Sequence, residues 1–511
     1  MDQFKLEPDK PESYWLESSK RPHTEKKVEL ADADVIIAGA GITGITLAYL
    51  LVKAGVRVIL FDAGRVMNGT TGHTTAKVTA QHGLIYDRLL NEAGREKAQM
   101  YYQANAEALS FIRSQIKQQQ ISCDYSVQDA YVFTNDDDYL SKLEREYKAY
   151  QTLGIHGSLT ANIPIGLDVK SAIAMEGQAQ FHPVKYLNYF VSEIIKEGGT
   201  ILEQTPAVDV ETGNLIQVKL RDGNVLKGKQ LVMATHFPFY DKKGFYFARL
   251  EPQRSYVIGA RSKTEYAGGM YISAEKPKRS IRATPLDNGD QLLLIGGDGH
   301  KTGQGIEEAR HYNALLQYAK ETFKIDKAEY RWSAQDLKTL DGIPYIGHQT
   351  SGESNLFIAT GYDKWGMTNG TAGALLLRDL ILGKESEYQQ LYNPSRFDIN
   401  PSLGNVISFN ADVAKQLIKG KLDRPDQTVE ELAAGEGGTV VIDGKRAGAY
   451  RDEMGQLHMV DTTCTHLGCE VKWNSGDKSW DCPCHGSRFS YQGEVLEGPA
   501  TKPLKRLDEK R

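Results

Sequence analysis

The chain has 511 residues, which as a soft prior fits two to four domains. It is 40% hydrophobic and 25% charged, an ordinary globular balance, and 61 basic against 66 acidic residues leave a net charge of −5, with no electrostatic footprint for nucleic acid. No apolar run approaches the roughly 20 residues that span a bilayer, and the polar start MDQFKLEPDKPESYWLESSKRPH lacks the apolar core of a secretory signal, so the reading is a cytoplasmic protein with no membrane span.

Residues 1–33 read as an irregular lead-in. Asp34 to Ala38 (DVIIA) is a short β-branched run, hence a buried strand. A Gly-rich turn follows, then ITLAYLLVKAG with helical spacing and a closing Gly55, then VRVILFD over 56–62 as a second strand. In this βαβ setting Gly39-Ala40-Gly41-Ile42-Thr43-Gly44 is a G-x-G-x-x-G dinucleotide fingerprint, a weak signal when it stands alone. The glycines permit a tight turn and close pyrophosphate approach, and Asp62 is placed to accept from ribose hydroxyls.

Residues 85–150 are polar and read as mostly helical. Short strands with turn signals fill 200–235, and more strands alternate over 250–300. A helix is expected over 304–325 and a strand over 356–361, followed by a Gly-rich segment entering a helix. The fold class is therefore α/β over 34–395, a nucleotide-binding core with an inserted sheet domain. Residues 396–425 form a connector with a helix in NADVAKQLIKGK, and 426–511 form an all-β module.

GRVMNGTTGHTT (64–75), DGIPYIG (341–347) and ATGYDKWGMTNGTAGALLLRDLI (359–381) together resemble the FAD-dependent D-amino-acid oxidase/glycine oxidase superfamily, over roughly 34–385. The resemblance implies FAD, a Rossmann-like FAD-binding domain and an antiparallel-sheet substrate domain. It implies FAD contacts at Gly39, Gly41, Gly44, Asp62, Thr71, His73, Gly361 and Gly366. One departure is Ala234-Thr235-His236, where the family often has Ala-Thr-Gly. No second G-x-G-x-x-G appears, which argues against a separate NAD(P)H domain. TTGHTT is similar to the segment carrying the histidyl–FAD bond in dimethylglycine and sarcosine dehydrogenases. His73 is thus either a covalent anchor or a hydrogen-bonded neighbour of the flavin.

On the substrate side, Lys364 stands where glycine oxidase-like enzymes have the Arg that holds the substrate carboxylate. Lysine keeps the charge and loses the bidentate fork. Arg254 or Arg282 could replace that clamp, with Tyr256 and Tyr271 beside them on expected strands; a structural role is the competing reading for each.

Of five cysteines, Cys123 stands alone and Cys464, Cys469, Cys482 and Cys484 fall within 21 residues. In a reducing compartment so tight a cluster points to metal before disulfides. CTHLGC and CPCHGS offer Cys464 with His466 and Cys482 with His485, the set needed by a [2Fe–2S] cluster with two thiolates on one iron and two imidazoles on the other. A zinc site or a stapled loop pair is the alternative. Both boxes resemble the Rieske family, over 426–511. The added pair Cys469 and Cys484 resembles the cytochrome bc-complex type, which implies a disulfide joining the two loops. Ser487 matches a family serine that hydrogen-bonds a bridging sulfide. Phe489 stands where high-potential members carry a tyrosine, which implies a lower potential. The resemblance also implies that His466 and His485 face solvent at the domain tip.

The functional expectation is an FAD-dependent dehydrogenase of a small amine or amino-acid-like substrate. Electrons would pass from flavin to the Rieske cluster and on to an external acceptor, a quinone or redox protein. The rivals are reversed flow from an external donor, and a redox sensor or assembly factor.

Overall fold

The structure is a computed structural model that describes residues 11–22, 24, 32–262, 265–305, 307–396, 399–423, 425, 427–442 and 444–507. Strand Ala33–Ala38 is almost wholly buried, as an unbroken apolar run requires of a central parallel strand. It pairs in parallel with Val58–Phe61 on one side and Val225–Met233 on the other. Thr200–Leu202 and Leu356–Thr360 extend the parallel sheet, and Tyr345–His348 closes one edge antiparallel. Helices Ile42–Lys53 and Gly366–Ile381 pack on each other. A Cβ at Gly370 would lie 2.8 Å from both Ile42 Cγ2 and Thr43 Oγ1, so glycine is what lets the two helices approach.

The second sheet has nine strands. Tyr330–Thr339, Leu250–Arg261, Gln291–Lys301 and Arg279–Pro285 run antiparallel in that order. Met270–Ser273 then pairs in parallel with Ser126–Thr134, the one parallel junction of this sheet among the described residues. The expectation of a mostly helical 85–150 holds, with that strand set between its two helices. Helices Tyr86–Gln118 and Asp137–Leu153 flank it, and their long Glu/Lys/Gln runs mask its alternation. The second helix starts where the Asp136 carboxylate accepts from the N–H of Asp138 and stops at left-handed Gly154.

The lead-in is also more ordered than expected. Tyr14–Glu17 is a helical turn with Tyr14 and Trp15 buried. Ser13 Oγ donates to Gly72 O at 2.5 Å and Trp15 Nε1 to Thr74 O at 2.7 Å, so residues 11–22 brace the 70–75 segment. Residues 1–10 and 25–31 of that lead-in lie outside the described residues.

Helix Ile399–Leu422 leads to the C-terminal domain and is longer than the stretch predicted. An antiparallel three-stranded sheet (Gly437–Ile442, Lys445–Arg451, Leu457–Val460) and a four-stranded one (Lys472–Asn474, Ser479–Asp481, Arg488–Ser490, Val495–Glu497) follow. No helix among the described residues is long and apolar enough to cross a membrane.

Candidate active site and metal centre

A cavity of about 1210 Å³ is walled by residues of both large sheets and by the segment 495–501 of the C-terminal domain. The fingerprint turn forms one wall. Gly39 has φ +100°, and a Cβ there would lie 2.4 Å from Ala234 O. A Cβ at Gly44 would lie 1.9 Å from Gly39 O, so that glycine serves helix–strand approach behind the wall. Thr71 Oγ1 accepts from the N–H of Ile42 at 3.0 Å and sits 3.0 Å from where a Cβ of Gly41 would be. Asp62 accepts from the N–H of Ala40 and of Gly64, both at 2.8 Å. Burial raises its pKa. Two oxygens have about four acceptor sites, so capacity remains for ribose hydroxyls. Gly366 opens a helix at the cavity wall, whereas Gly361 (φ +80°) lies behind it against Thr339.

His73 ends the short turn Thr70–His73 and lines the cavity. Its Nδ1 lies 2.9 Å from Gly69 O, so Nδ1–H is the donor and Nε2 keeps its lone pair. Burial lowers its pKa, which holds the ring neutral. His236, the departure from the family glycine, takes a glycine-like φ of +65°. Its Nε2 is buried, with no hydrogen-bond partner among the described residues, at the cavity wall. Glycines that clear the wall, a buried carboxylate and an orphaned imidazole nitrogen fit a dinucleotide carrying a ring system.

The other end holds Tyr256, a candidate from the sequence, together with two histidines the sequence reading missed. Tyr256 Oη lies 2.8 Å from His300 Nε2, while His300 Nδ1 lies 2.7 Å from Lys301 O. The carbonyl fixes Nδ1–H, so the phenol donates to Nε2. His300 stacks on His311 at 4.5 Å, and His311 Nδ1 meets Asp298 Oδ2 at 2.6 Å. Burial, then His311, lowers the pKa of His300. The available signal was GGDGHK, chemistry-bearing residues set among glycines at a strand end.

Lys364 lines the cavity, 3.9 Å from Asp336. The two arginines do not. Arg254 is fully buried and ion-paired to Asp477 and Glu497, each at 3.1 Å, with Ser333 as a further acceptor. Arg282 donates to Thr75 O and Ala76 O at 3.0 and 2.9 Å and lies over Trp15, and burial lowers its pKa to about 9. Both expectations of a substrate clamp are corrected: burial commits these guanidiniums to protein acceptors. Tyr271 likewise stacks on Tyr131 in the core.

Two matching loops of the C-terminal domain face each other. Cys464 N–H donates to Cys469 O in one and Cys482 N–H to Ser487 O in the other, each at 2.8 Å. The Cys464 and Cys482 thiols lie close enough to act on each other, and that contact lowers the pKa of Cys464. The His466 and His485 rings lie 5.0 Å apart. Burial lowers their pKa values to about 4 and about 3, leaving neutral imidazoles of the kind metal ligands need. Cys469 and Cys484 form a disulfide between the loops. The sulfurs of Cys469, Cys482 and Cys484 lie within 4.8 Å of one another, but two are spent on that bond and offer no thiolate. Two thiols and two neutral imidazoles fit a [2Fe–2S] cluster better than a closed zinc site.

The imidazoles are not a solvent-facing tip. His485 is 2% exposed and His466 half-buried. Phe247 of the flavin-side fold meets His485 and His466 edge-on at 5.6 and 5.9 Å, and Phe409 of the connector helix meets His485 at 6.5 Å. Docking causes the burial. Gln335 Nε2, from the cavity wall, donates to Gly486 O at 3.0 Å, and Gln304 Nε2 donates to Pro483 O at 3.0 Å. Cβ atoms at Gly303 and Gly486 would lie 2.8 Å from Pro483 N and 2.5 Å from Pro252 Cβ.

Residues 34–380 match the FAD dependent oxidoreductase family and 425–508 the Rieske [2Fe-2S] domain, and these matches imply FAD and a [2Fe–2S] cluster. The chain is 49% identical over 498 residues, 98% of both chains, to YhfW of Bacillus subtilis (strain 168), a candidate Rieske 2Fe-2S iron-sulfur protein. It is 23% identical over 392 residues to the gamma-glutamylputrescine oxidoreductase of Escherichia coli (strain K12), covering 71% of this chain and 87% of that one. The crystal structure of glycine oxidase from Geobacillus kaustophilus shares the fold, with a TM-score of 0.60 at 17% identity, covering 72% of this chain and 99% of the other. The chain belongs to the FAD dependent oxidoreductase family and carries a Rieske [2Fe-2S] domain behind it.

Proposed function

We propose that the protein oxidises an amine or amino-acid-like substrate in this cavity and that its two centres work in series. FAD supplies two-electron hydride chemistry and the cluster single-electron transfer, so their union in one chain supports dividing an electron pair for an external quinone or redox protein. The observation that carries the reading is the docking. Gln335 lines the cavity and hydrogen-bonds the carbonyl beside ligand His485, and Val495 to Thr501 complete the cavity wall.

The chain's own residues suit amine oxidation. Lys364 offers a point charge to a carboxylate. His300 accepts from the Tyr256 hydroxyl and so fixes the direction of that hydroxyl at the cavity wall. Half-buried His466 beside exposed Leu467 leaves one side of the cluster loops open to an external partner. Glycine oxidase and gamma-glutamylputrescine oxidoreductase, by their names, act on an amino acid and an amine, in keeping with this reading.

The test is anaerobic reduction of the purified protein with a panel of amines and amino acids. Flavin bleaching should precede the EPR signal of the reduced cluster. Reduction only by an electron-donor protein would reverse the direction, and no reduction by any of them would leave a sensor or assembly role.

A further inference from the structure

Lys276, Lys278, Lys338 and Lys364 line one end of the cavity. They come from three places: the loop before strand Arg279–Pro285, strand Tyr330–Thr339, and the turn before helix Gly366–Ile381. All four are exposed to its opening. Partial desolvation at the concave wall lowers the pKa of Lys278, Asp363 opposes that shift, and the other three lysines add to it.

The remaining charged side chains at this end already have partners, ionic or neutral. Asp298 is held by Arg279 at 2.8 Å and by His311. Lys301 meets Glu251 at 3.0 Å and Asp412 at 3.1 Å. Lys77 donates to Tyr271 O and Ser280 Oγ. Glu497 belongs to Arg254 and Arg488. Two carboxylates face the four ammonium groups. Asp363 makes no ion pair within 4.0 Å among the described residues, and Asp336 meets only Lys364, at 3.9 Å, with its own pKa raised by burial. Lys276, Lys278 and Lys338 have no ion pair within that distance among the described residues. At least two positive charges at this end therefore lack a match.

A second observation is independent of charge. Asp363 and Lys364 are consecutive non-glycine residues with φ of +40° and +71°. Such backbone persists only where the surrounding structure fixes it, and here it sets the Lys364 side chain at the cavity wall.

We propose that the substrate is an amine bearing at least two carboxylates, such as an acidic amino acid or an N-carboxyalkyl amino acid. One carboxylate goes to Lys364 and a second to Lys278 with Lys276 or Lys338. A monocarboxylate would leave like charges repelling across the cavity, and a second carboxylate relieves them. Long-stemmed point charges also tolerate variation in the spacing of the two anionic groups, as bidentate arginines do not. The proposal rests on the oxidation reading above and narrows it.

The test uses the full-length holoprotein and two non-oxidisable probes, acetate and succinate, titrated against the flavin absorption spectrum and against thermal melting. Succinate should bind about tenfold or more tighter than acetate, with the advantage shrinking as salt rises. Lys278→Met and Lys338→Met keep the stems and should pull that ratio toward one, and Lys276→Met gives a second rim variant with the same direction. Equal binding of the probes, or a preference untouched in the Lys278→Met/Lys338→Met protein, overturns the proposal. Failure of the two readings is separable. Flavin reduction by glycine or alanine as readily as by glutamate or iminodiacetate keeps amine oxidation and sinks the dicarboxylate preference. Succinate preference with no amine reducing the flavin keeps the anion site and sinks oxidation.

Discussion

Phe489 is fully buried in the same apolar cluster as Cys464 and Cys482. A phenol at that position would bring a donor toward a cluster ligand, as the Rieske resemblance implies. A hydrogen bond worth about 1 kcal/mol more to the reduced state corresponds to about 40 mV for one electron. Phe489→Tyr should therefore raise the cluster's midpoint potential by that order, read by voltammetry; an unchanged potential would place the side chain away from the sulfurs. Asp62 makes a different kind of prediction. Asp62→Ala strips the acceptor from two backbone N–H groups and also removes the carboxylate expected at the ribose. A hydrogen bond to a charged acceptor is worth about 1.5–3 kcal/mol, so FAD affinity should fall on the order of tenfold to a hundredfold in fluorescence titration of the apoprotein.

At the scale of elements, the joint between strand Leu250–Arg261 and the C-terminal sheet is a buried charge cluster. Arg254 and Arg488 share Asp477, Asp481 and Glu497. Arg254→Met leaves carboxylates buried with one cation fewer, and breaking such a pair costs about 3–5 kcal/mol in chemical denaturation. Arg488 holds the pKa of Glu497 down to about 2, against an ordinary 4.5. Its stabilisation is thus complete above about 4.5 and is lost as pH falls toward 2. His82 and His182, lowered to about 3 by burial, add acid sensitivity below their ordinary 6.5, because the unfolded chain then takes up protons that the fold refuses. Melting temperature should fall with acid through both windows, and Glu497→Gln should flatten only the lower one.

For the whole molecule, the docked C-terminal domain is a wall of the flavin-side cavity. Gly303 (φ +68°) has no room for a Cβ against Pro483. Gly303→Val should loosen the dock while both cofactors stay bound. Under the proposed series arrangement, electron passage from flavin to cluster, followed by stopped-flow, should then slow on the order of tenfold or more, since small misplacements weigh heavily on such steps. An unchanged rate would detach the dock from the relay.

The sequence by itself determined what depends on local order. The β-branched run before the fingerprint glycines, the two Cys-x-His-type boxes and the all-β composition after residue 426 each specify their structure within a few neighbouring residues. Strand Ser126–Thr134 escaped because helix-forming runs on both sides drown a short alternation. Only the tertiary structure decided the fates of Arg254 and Arg282, whose acceptors lie up to 243 residues away in the chain. It alone assembled Tyr256, His300 and His311 into one stack, gathered four lysines from three segments, and covered the imidazoles with Phe247. Burial and long-range partners set what a charged or aromatic side chain does, and neither is written in its immediate sequence.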